Sequence, residues 1–186
     1  ITPFTTTRCL EQIKIGACYH KSSITIIGTG SGLSYAELGA THHSFEDIGI
    51  IRTLPDIKIF TPADNIELDR SMSASLDYEG PSYIRIGKKG EPLVHSTSKE
   101  FTNFIKPGKD IALICSGPII NEGIKAAKNL LKFDINIAII SIERVKPVNK
   151  KLLFEIAEKY CIWFVLEEHS ITVSYTHLTL PTMIGV

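Results

Sequence analysis

Residues 23–55 read SITIIGTGSGLSYAELGATHHSFEDIGIIRTLP. Ser23–Gly28 is short, apolar and β-branched, which is the pattern of a buried strand. Thr29–Ser44 is a long loop containing Gly30, Gly32 and Gly39. Phe45–Leu54 then reads as a short helix, with Glu46 and Asp47 in its first turn, where the helix dipole favours anions, and Pro55 ends it. A strand that leaves through a glycine-rich loop and returns as a helix is half of an α/β unit, and the pattern continues on both sides. Upstream, Thr7–Tyr19 carries Leu10, Ile13 and Ala17 at helical spacing, with Thr5 or Thr6 as a cap. Downstream come a strand at Ile57–Phe60, a helix from Pro62 to about Tyr78 and a strand at Ser82–Ile86.

After Gly87 the chain changes character. Residues 88–109, KKGEPLVHSTSKEFTNFIKPGK, are polar with Gly and Pro near both ends, and read as a linker with one edge strand. Alternation then resumes: strand Ile111–Cys115, helix Asn121–Leu131, strand Ile135–Ile142, helix Asn149–Tyr160 and strand Ile162–Leu166. The expected class is α/β, with two three-layer units of mainly parallel sheet joined by the linker, the first incomplete at its N-terminus. The corresponding division is residues 1–87, linker 88–109, residues 110–170 and an atypical tail, 171–186. The chain opens on Ile1 in a strand-like or loop segment and is expected to be cut from something longer. The tail has β-like alternation with no place in the second unit and is read as an unfaithful continuation without function.

Composition narrows the function classes. Of 186 residues, 20 are Lys or Arg and 20 are Asp or Glu, with 44 % apolar, so the chain is globular, not disordered. Without a positive surplus to neutralise phosphates, nucleic acid is not an expected partner. No apolar run approaches the ~18 residues of a membrane span, so no membrane partner is expected either. Cys9, Cys18, Cys115 and Cys161 have no C-x-x-C spacing and read as reduced thiols of a cytoplasmic protein.

Three places offer chemistry. The GTGSG run invites a dinucleotide-binding reading, but such a turn passes straight into a helix, whereas here roughly a dozen loop residues and two His intervene. Neighbouring His42 and His43 should face opposite ways, one towards a pocket and one into local packing. A histidine above the carboxyl edge of a parallel sheet can exchange protons near neutral pH, while the spacing of further ligands gives no metal site. Arg85, in PSYIRIGKKG, suits either an ion pair at the surface or a guanidinium fork gripping phosphate or carboxylate at the sheet edge. Lys88 and Lys89 add positive potential facing solvent. Phe4, in FTTTRCLEQI, can present an aromatic face to a planar ring. Glu167-Glu168-His169 ends the last strand, as a solvated terminus or a second site address.

Taken in order, FTTTRCLEQI, GTGSGLSYAELGATHHSFEDI, RTLPDIKIFTPAD and PSYIRIGK resemble the later part of the pyrimidine-binding domain of transketolase-like thiamin diphosphate enzymes. LICSG, SIERVKPVN and the EEH ending resemble their C-terminal domain, so the likeness covers about residues 1–170. Within the superfamily, the THH loop is most similar to the C-terminal half of split transketolases. The resemblance implies an enzyme in which thiamin diphosphate supplies a carbanion that attacks a carbonyl, cleaves a carbon–carbon bond and passes a two-carbon ketol unit to an aldehyde. It implies that His42 is the catalytic histidine meeting substrate oxygens, that Phe4 stacks on the cofactor's aminopyrimidine, and that Arg85 binds the sugar phosphate. It places Mg2+ or another divalent metal in an absent domain or partner chain. It also implies a homodimer or an N-terminal-half partner subunit, and a sugar or sugar-phosphate substrate. The family's activating glutamate falls upstream of Ile1, so this chain alone is expected to be inactive. Gly30 stands where full-length transketolases carry a phosphate-contacting histidine. Alternatives are a deoxyxylulose-phosphate synthase-like enzyme, a 2-oxo acid dehydrogenase β-subunit-like enzyme, a non-catalytic partner subunit, or a Rossmann-type nucleotide-binding domain.

Overall fold

The computed structural model describes residues 1–88, 90–95 and 102–172. Lys89, part of the linker and the tail from residue 173 lie outside the described residues.

The N-terminus departs from the strand-like or loop expectation. Thr2–Thr5 form a single helical turn, α1. Pro3 suits a first helical turn because its fixed φ is already helical, and the Thr5 and Thr6 hydroxyls donate to the Thr2 carbonyl. The helix expected over Thr7–Tyr19 is present but wound in three ways: a 3₁₀ turn at Thr7–Cys9, a short α2 at Leu10–Gln12, and a π-helical segment at Ile13–Tyr19. The wider π winding brings residues four and five apart to one side, and Ile13, Ala17 and Cys18 are buried together.

The first sheet contains β1 (Thr25–Thr29), β2 (Lys58–Phe60) and β3 (Ser82–Ile86), with β3 parallel to both neighbours. Between them run α3 (Asp47–Arg52) and α4 (Asn65–Leu76). The second sheet has the order β4-β6-β5-β8, built from β4 (Phe104–Lys106), β5 (Ile111–Ser116), β6 (Ala138–Ser141) and β8 (Ile162–Glu167). Here β5 is parallel to β6 and β8, while β4 is the antiparallel edge strand read from the linker. Helices α5 (Ile120–Leu130) and α6 (Lys150–Lys159) complete the unit. The architecture is the expected pair of mostly parallel α/β units.

One strand was not foreseen. β7 (Arg144–Lys146) leaves the second unit and pairs antiparallel with β2, giving the first sheet the order β1-β3-β2-β7. Lys146 reaches from this strand to the carbonyls of Arg52 and Leu54 at the end of α3, satisfying acceptors that a helix C-terminus leaves open. The two units therefore share a sheet, and they also share a core. Ala112, Ile114, Ala138 and Ile140 on one face of the second sheet join Leu152, Leu153 and Ile156 of α6 and Ile13, Ile51, Ile57 and Ile59 of the first unit. The intervening residues, Leu113, Cys115 and Ile139, point the other way and pack with Ile120 and Ala127 of α5, following the two-residue strand period. Among the described residues no helix is long and apolar enough to cross a membrane.

Because Ile156 is fully buried in the shared core, Ile156→Ala should lower the unfolding free energy by about 2–5 kcal/mol in urea denaturation. Both units should respond in one transition. Two separated transitions would contradict a shared core. Lys151→Ala, on the exposed side of α6, should change stability by less than about 0.5 kcal/mol.

Candidate functional site

The carboxyl ends of β1, β2 and β3 open on a cavity of about 520 Å³, a usual size and a usual address for a small-molecule site. Thr29, Tyr35, Asp64, Ile86, Lys88 and Glu91 are among its lining residues. Beside it lies the long loop, whose base is closed by Ser44 N–H donating to Gly32 O at 3.0 Å. The Thr2 hydroxyl donates to Thr29 O at 3.0 Å and anchors α1 against the end of β1. Gly28 faces this contact, since a Cβ there would stand 2.6 Å from the Tyr83 hydroxyl and 3.0 Å from that of Thr2.

This anchoring brings two of the three expected site residues together. Phe4 and His42 meet edge-on, with ring centroids 5.3 Å apart and planes at 65°. Tyr35, 6.2 Å from His42, connects that pair to the cavity. The Arg8 guanidinium covers one face of Phe4 at 3.9 Å. His42 Nδ1 is 2.9 Å from the Thr41 hydroxyl. His43 takes the other direction, its Nε2 3.1 Å from Ala36 O and its ring against Phe45.

Arg85 is placed differently. It is an ion-pair residue, but inside the protein and not at the surface: Arg85 and Asp47 are each 1 % exposed. Nη1 donates to Asp47 Oδ1 at 3.1 Å and to the Glu168 carbonyl at 3.1 Å. The Tyr83 hydroxyl donates to the other Asp47 oxygen at 2.8 Å. Burial and the Asp47 charge push the Tyr83 hydroxyl well above its ordinary pKa. Arg85 Nε and Nη2 are buried and have no hydrogen-bond partner among the described residues. The physical reason for the change of place is strand alternation: Tyr83 and Arg85, two apart on β3, point to the same side, onto the start of α3. That i, i+2 pairing of a Tyr and an Arg opposite an acidic helix start was the available sequence signal.

The structure adds two features: the place of Lys88, expected only to face solvent, and a buried acidic cluster that the sequence reading missed. Lys88 is exposed, yet it lines the cavity with Nζ 4.4 Å over the Tyr35 ring. Behind the Asp64 edge of the cavity lies a buried cluster of Asp64, Glu67 and His95. Asp64 caps α4 by accepting from Glu67 N–H, and also accepts from the N–H groups of Val94 and His95 and pairs with the His95 ring. It thereby fastens the linker to the first unit. Burial pushes the Asp64 carboxyl up, but these donors outweigh burial and hold it below its ordinary range. Glu67 accepts from Ala63 N–H at 2.7 Å. Its burial dominates, raising its pKa to about 7. Among the described residues no group of three or more His, Cys, Asp or Glu is arranged to hold a metal ion.

The chain is similar to known proteins. Residues 2–91 match the family model of the transketolase pyrimidine binding domain, and residues 102–179 that of the transketolase C-terminal domain. An apulose-4-phosphate transketolase subunit of Actinobacillus succinogenes is 33 % identical over 91 % of this chain and 56 % of its own length. The corresponding protein of Phocaeicola vulgatus is 31 % identical over 90 % of this chain and 55 % of its own. The chain thus spans about half the length of these curated relatives. A solved split-gene transketolase, described as an inactive β4 tetramer, superposes with a TM-score of 0.81 at 28 % identity, covering 95 % of this chain and 58 % of that one.

Glu67 is protonated in the native state up to about pH 7 but ionises near 4.5 once unfolded. Across that window the native state binds more protons, so this group lowers stability as pH rises, by up to about 1.4 kcal/mol per pH unit. Chemical denaturation from pH 5 to 8 should show this slope in the wild type relative to Glu67→Gln. A pH-independent difference would contradict the shift.

Proposed function

The chain belongs to the transketolase family, and on that premise we propose that it is the C-terminal half of a split, thiamin diphosphate-dependent transketolase that transfers a two-carbon ketol unit between sugars or sugar phosphates. The observation that carries this reading is the Phe4–His42 contact beside the cavity at the sheet's carboxyl edge. Two aromatic side chains on separate segments, both partly exposed, suit a planar heterocycle, so the residues present fit the pyrimidine end of the cofactor. When bound, thiamin diphosphate supplies the nucleophilic carbon for cleaving and forming the carbon–carbon bond.

The chain's own residues do the rest. Phe4 holds the ring. His42 Nδ1 is engaged by Thr41, while Nε2 makes no hydrogen bond among the described residues. Nε2 is therefore the atom that exchanges a proton with, or donates to, a substrate oxygen. The cavity accommodates the sugar chain, with Asp64 and Glu91 as polar partners and the Lys88 ammonium as the cation for an anionic end. Arg85, buried in its ion pair, acts on the site indirectly, by fixing Asp47 at the start of α3. The diphosphate and its Mg2+ or other divalent metal fall to the missing half, supplied by an N-terminal-half partner subunit or by further sequence within a homodimer. The chain alone is accordingly inactive. Free thiols at all four cysteines suit a cytoplasmic setting. The transketolase subunits among the relatives do not favour the deoxyxylulose-phosphate synthase-like or 2-oxo acid dehydrogenase β-subunit-like alternatives.

The test is a coupled ketol-transfer assay with the full-length chain, its N-terminal-half partner, thiamin diphosphate and Mg2+. Transfer is expected from the complete mixture and not from this chain alone. His42→Ala should lower kcat/KM by at least about 100-fold, and turnover at the wild-type level would remove His42 from the mechanism. Calorimetric assembly with a partner that thiamin diphosphate leaves unchanged would favour a non-catalytic subunit.

A further inference from the structure

We propose that the end of β8 is a positioning element for the His42 loop, with Glu168 as the positioning residue. The two legs of the loop bear contacts from the second unit. On the incoming leg, the Ser31 hydroxyl donates to Glu168 Oε2 at 2.9 Å, and Ser31 is 1 % exposed. Gly32 lies against the same side chain: its φ is +51°, and a Cβ there would stand 2.5 Å from Glu168 Cβ. Only glycine combines that backbone angle with that approach. On the outgoing leg, Ser170 N–H donates to Phe45 O at 2.8 Å. Gly49 N–H donates to His169 Nε2 at 3.0 Å, while His169 Nδ1 lies 2.9 Å from Ser170 O, which fixes the neutral Nδ1–H tautomer. The Glu168 carbonyl completes the set by accepting from Arg85, the partner of Asp47.

Between these legs the bonds that hold the loop are short-range turns: Ala36 N–H to Leu33 O, Leu38 N–H to Tyr35 O and His42 N–H to Gly39 O. They shape the loop but do not fix where it stands on the sheet. That placement comes from the base, where the Gly32–Ser44 bridge and the β8 end meet, with the Phe4–His42 and Lys88–Tyr35 ring contacts bearing on the loop beyond it. His42 rides on this base, and a displacement of about 1 Å at a reacting group can cost on the order of 100-fold in rate. The second unit thus sets the geometry of a histidine carried by the first. The rate arm rests on the proposed function, whereas the exchange arm below does not.

The experiment uses the full-length chain with its N-terminal-half partner and reads hydrogen–deuterium exchange by residue together with ketol transfer. Glu168→Ala should speed exchange over residues 32–44 by about tenfold or more, leave β1 and β3 unchanged, and lower kcat more than it raises KM. Glu168→Gln, whose amide oxygen still accepts from Ser31, should restore both readouts. Ser31→Ala should resemble Glu168→Ala, and the double variant should be no worse than either single one, because the two act through one hydrogen bond. The proposal is overturned if exchange over the loop is unchanged, if it rises equally throughout the chain, or if Glu168→Gln is as impaired as Glu168→Ala. Should Glu168→Ala not fold, Ser31→Ala decides by the same criteria. Absence of ketol transfer in the wild-type complex would count against the proposed function, while the exchange comparison would still decide the positioning contact.

Discussion

The Asp47 carboxylate is the point at which sheet, loop and second unit are joined. It sits in the first turn of α3, where the helix dipole favours an anion, and takes Arg85 on one oxygen and Tyr83 on the other. Removing two charges from water is costly, and a buried pair repays that cost only when its remaining hydrogen-bonding capacity is met. Tyr83 occupies the second Asp47 oxygen and the Glu168 carbonyl takes a second bond from Arg85 Nη1, while Arg85 Nε and Nη2 find no partner among the described residues. A buried pair of this kind contributes less by net energy than by the penalty for disturbing it, about 3–5 kcal/mol when one partner is lost. That penalty holds α3 at one place on β3, and α3 is where the histidine loop ends. Gly28, paired with Arg85 across the sheet, leaves the room that Tyr83 requires.

How much of this was legible depends on the range of each interaction. The strands and helices announced themselves through local periodicity, and the mostly parallel, two-unit class followed. His42 and Phe4 stood out as candidates because a histidine in a glycine-rich loop at a sheet edge and an aromatic before a helix are local signals, and the structure brings their rings together. The Asp47–Arg85 pair spans 38 positions and the Ser31–Glu168 contact spans 137, and no periodicity encodes such distances. Arg85 was recognised as a guanidinium of interest but not as a buried one, because its partner is chosen by tertiary packing. Likewise β7, three residues long, has no pattern of its own and becomes a strand only because β2 offers it an edge. The π winding of Ile13–Tyr19 was invisible for a related reason: α and π segments place apolar residues at nearly the same spacing, and packing of Ile13 with Cys18 selects between them.

The linker shows the same economy at its near end. Asp64 would be an ordinary helix cap if it accepted only from Glu67, but it gathers Val94 and His95 as well. One carboxylate thus starts α4, borders the cavity and fixes the departing chain. Glu67 beneath it is excluded from water, which is why its proton is retained to near neutrality. The acidic residues of this region differ in behaviour because their donors differ, not because their burial alone does.

The strand lent by the second unit has a consequence for modularity. β2 is short, and on one side its peptide groups are satisfied by β7. Excising the C-terminal unit would strip that side and leave an open ladder ready to recruit any other chain, the usual route to edge-to-edge aggregation. The boundary between the two family domains, continuous in sequence, is therefore no place to cut: neither module can be transplanted into another scaffold without carrying this borrowed strand along.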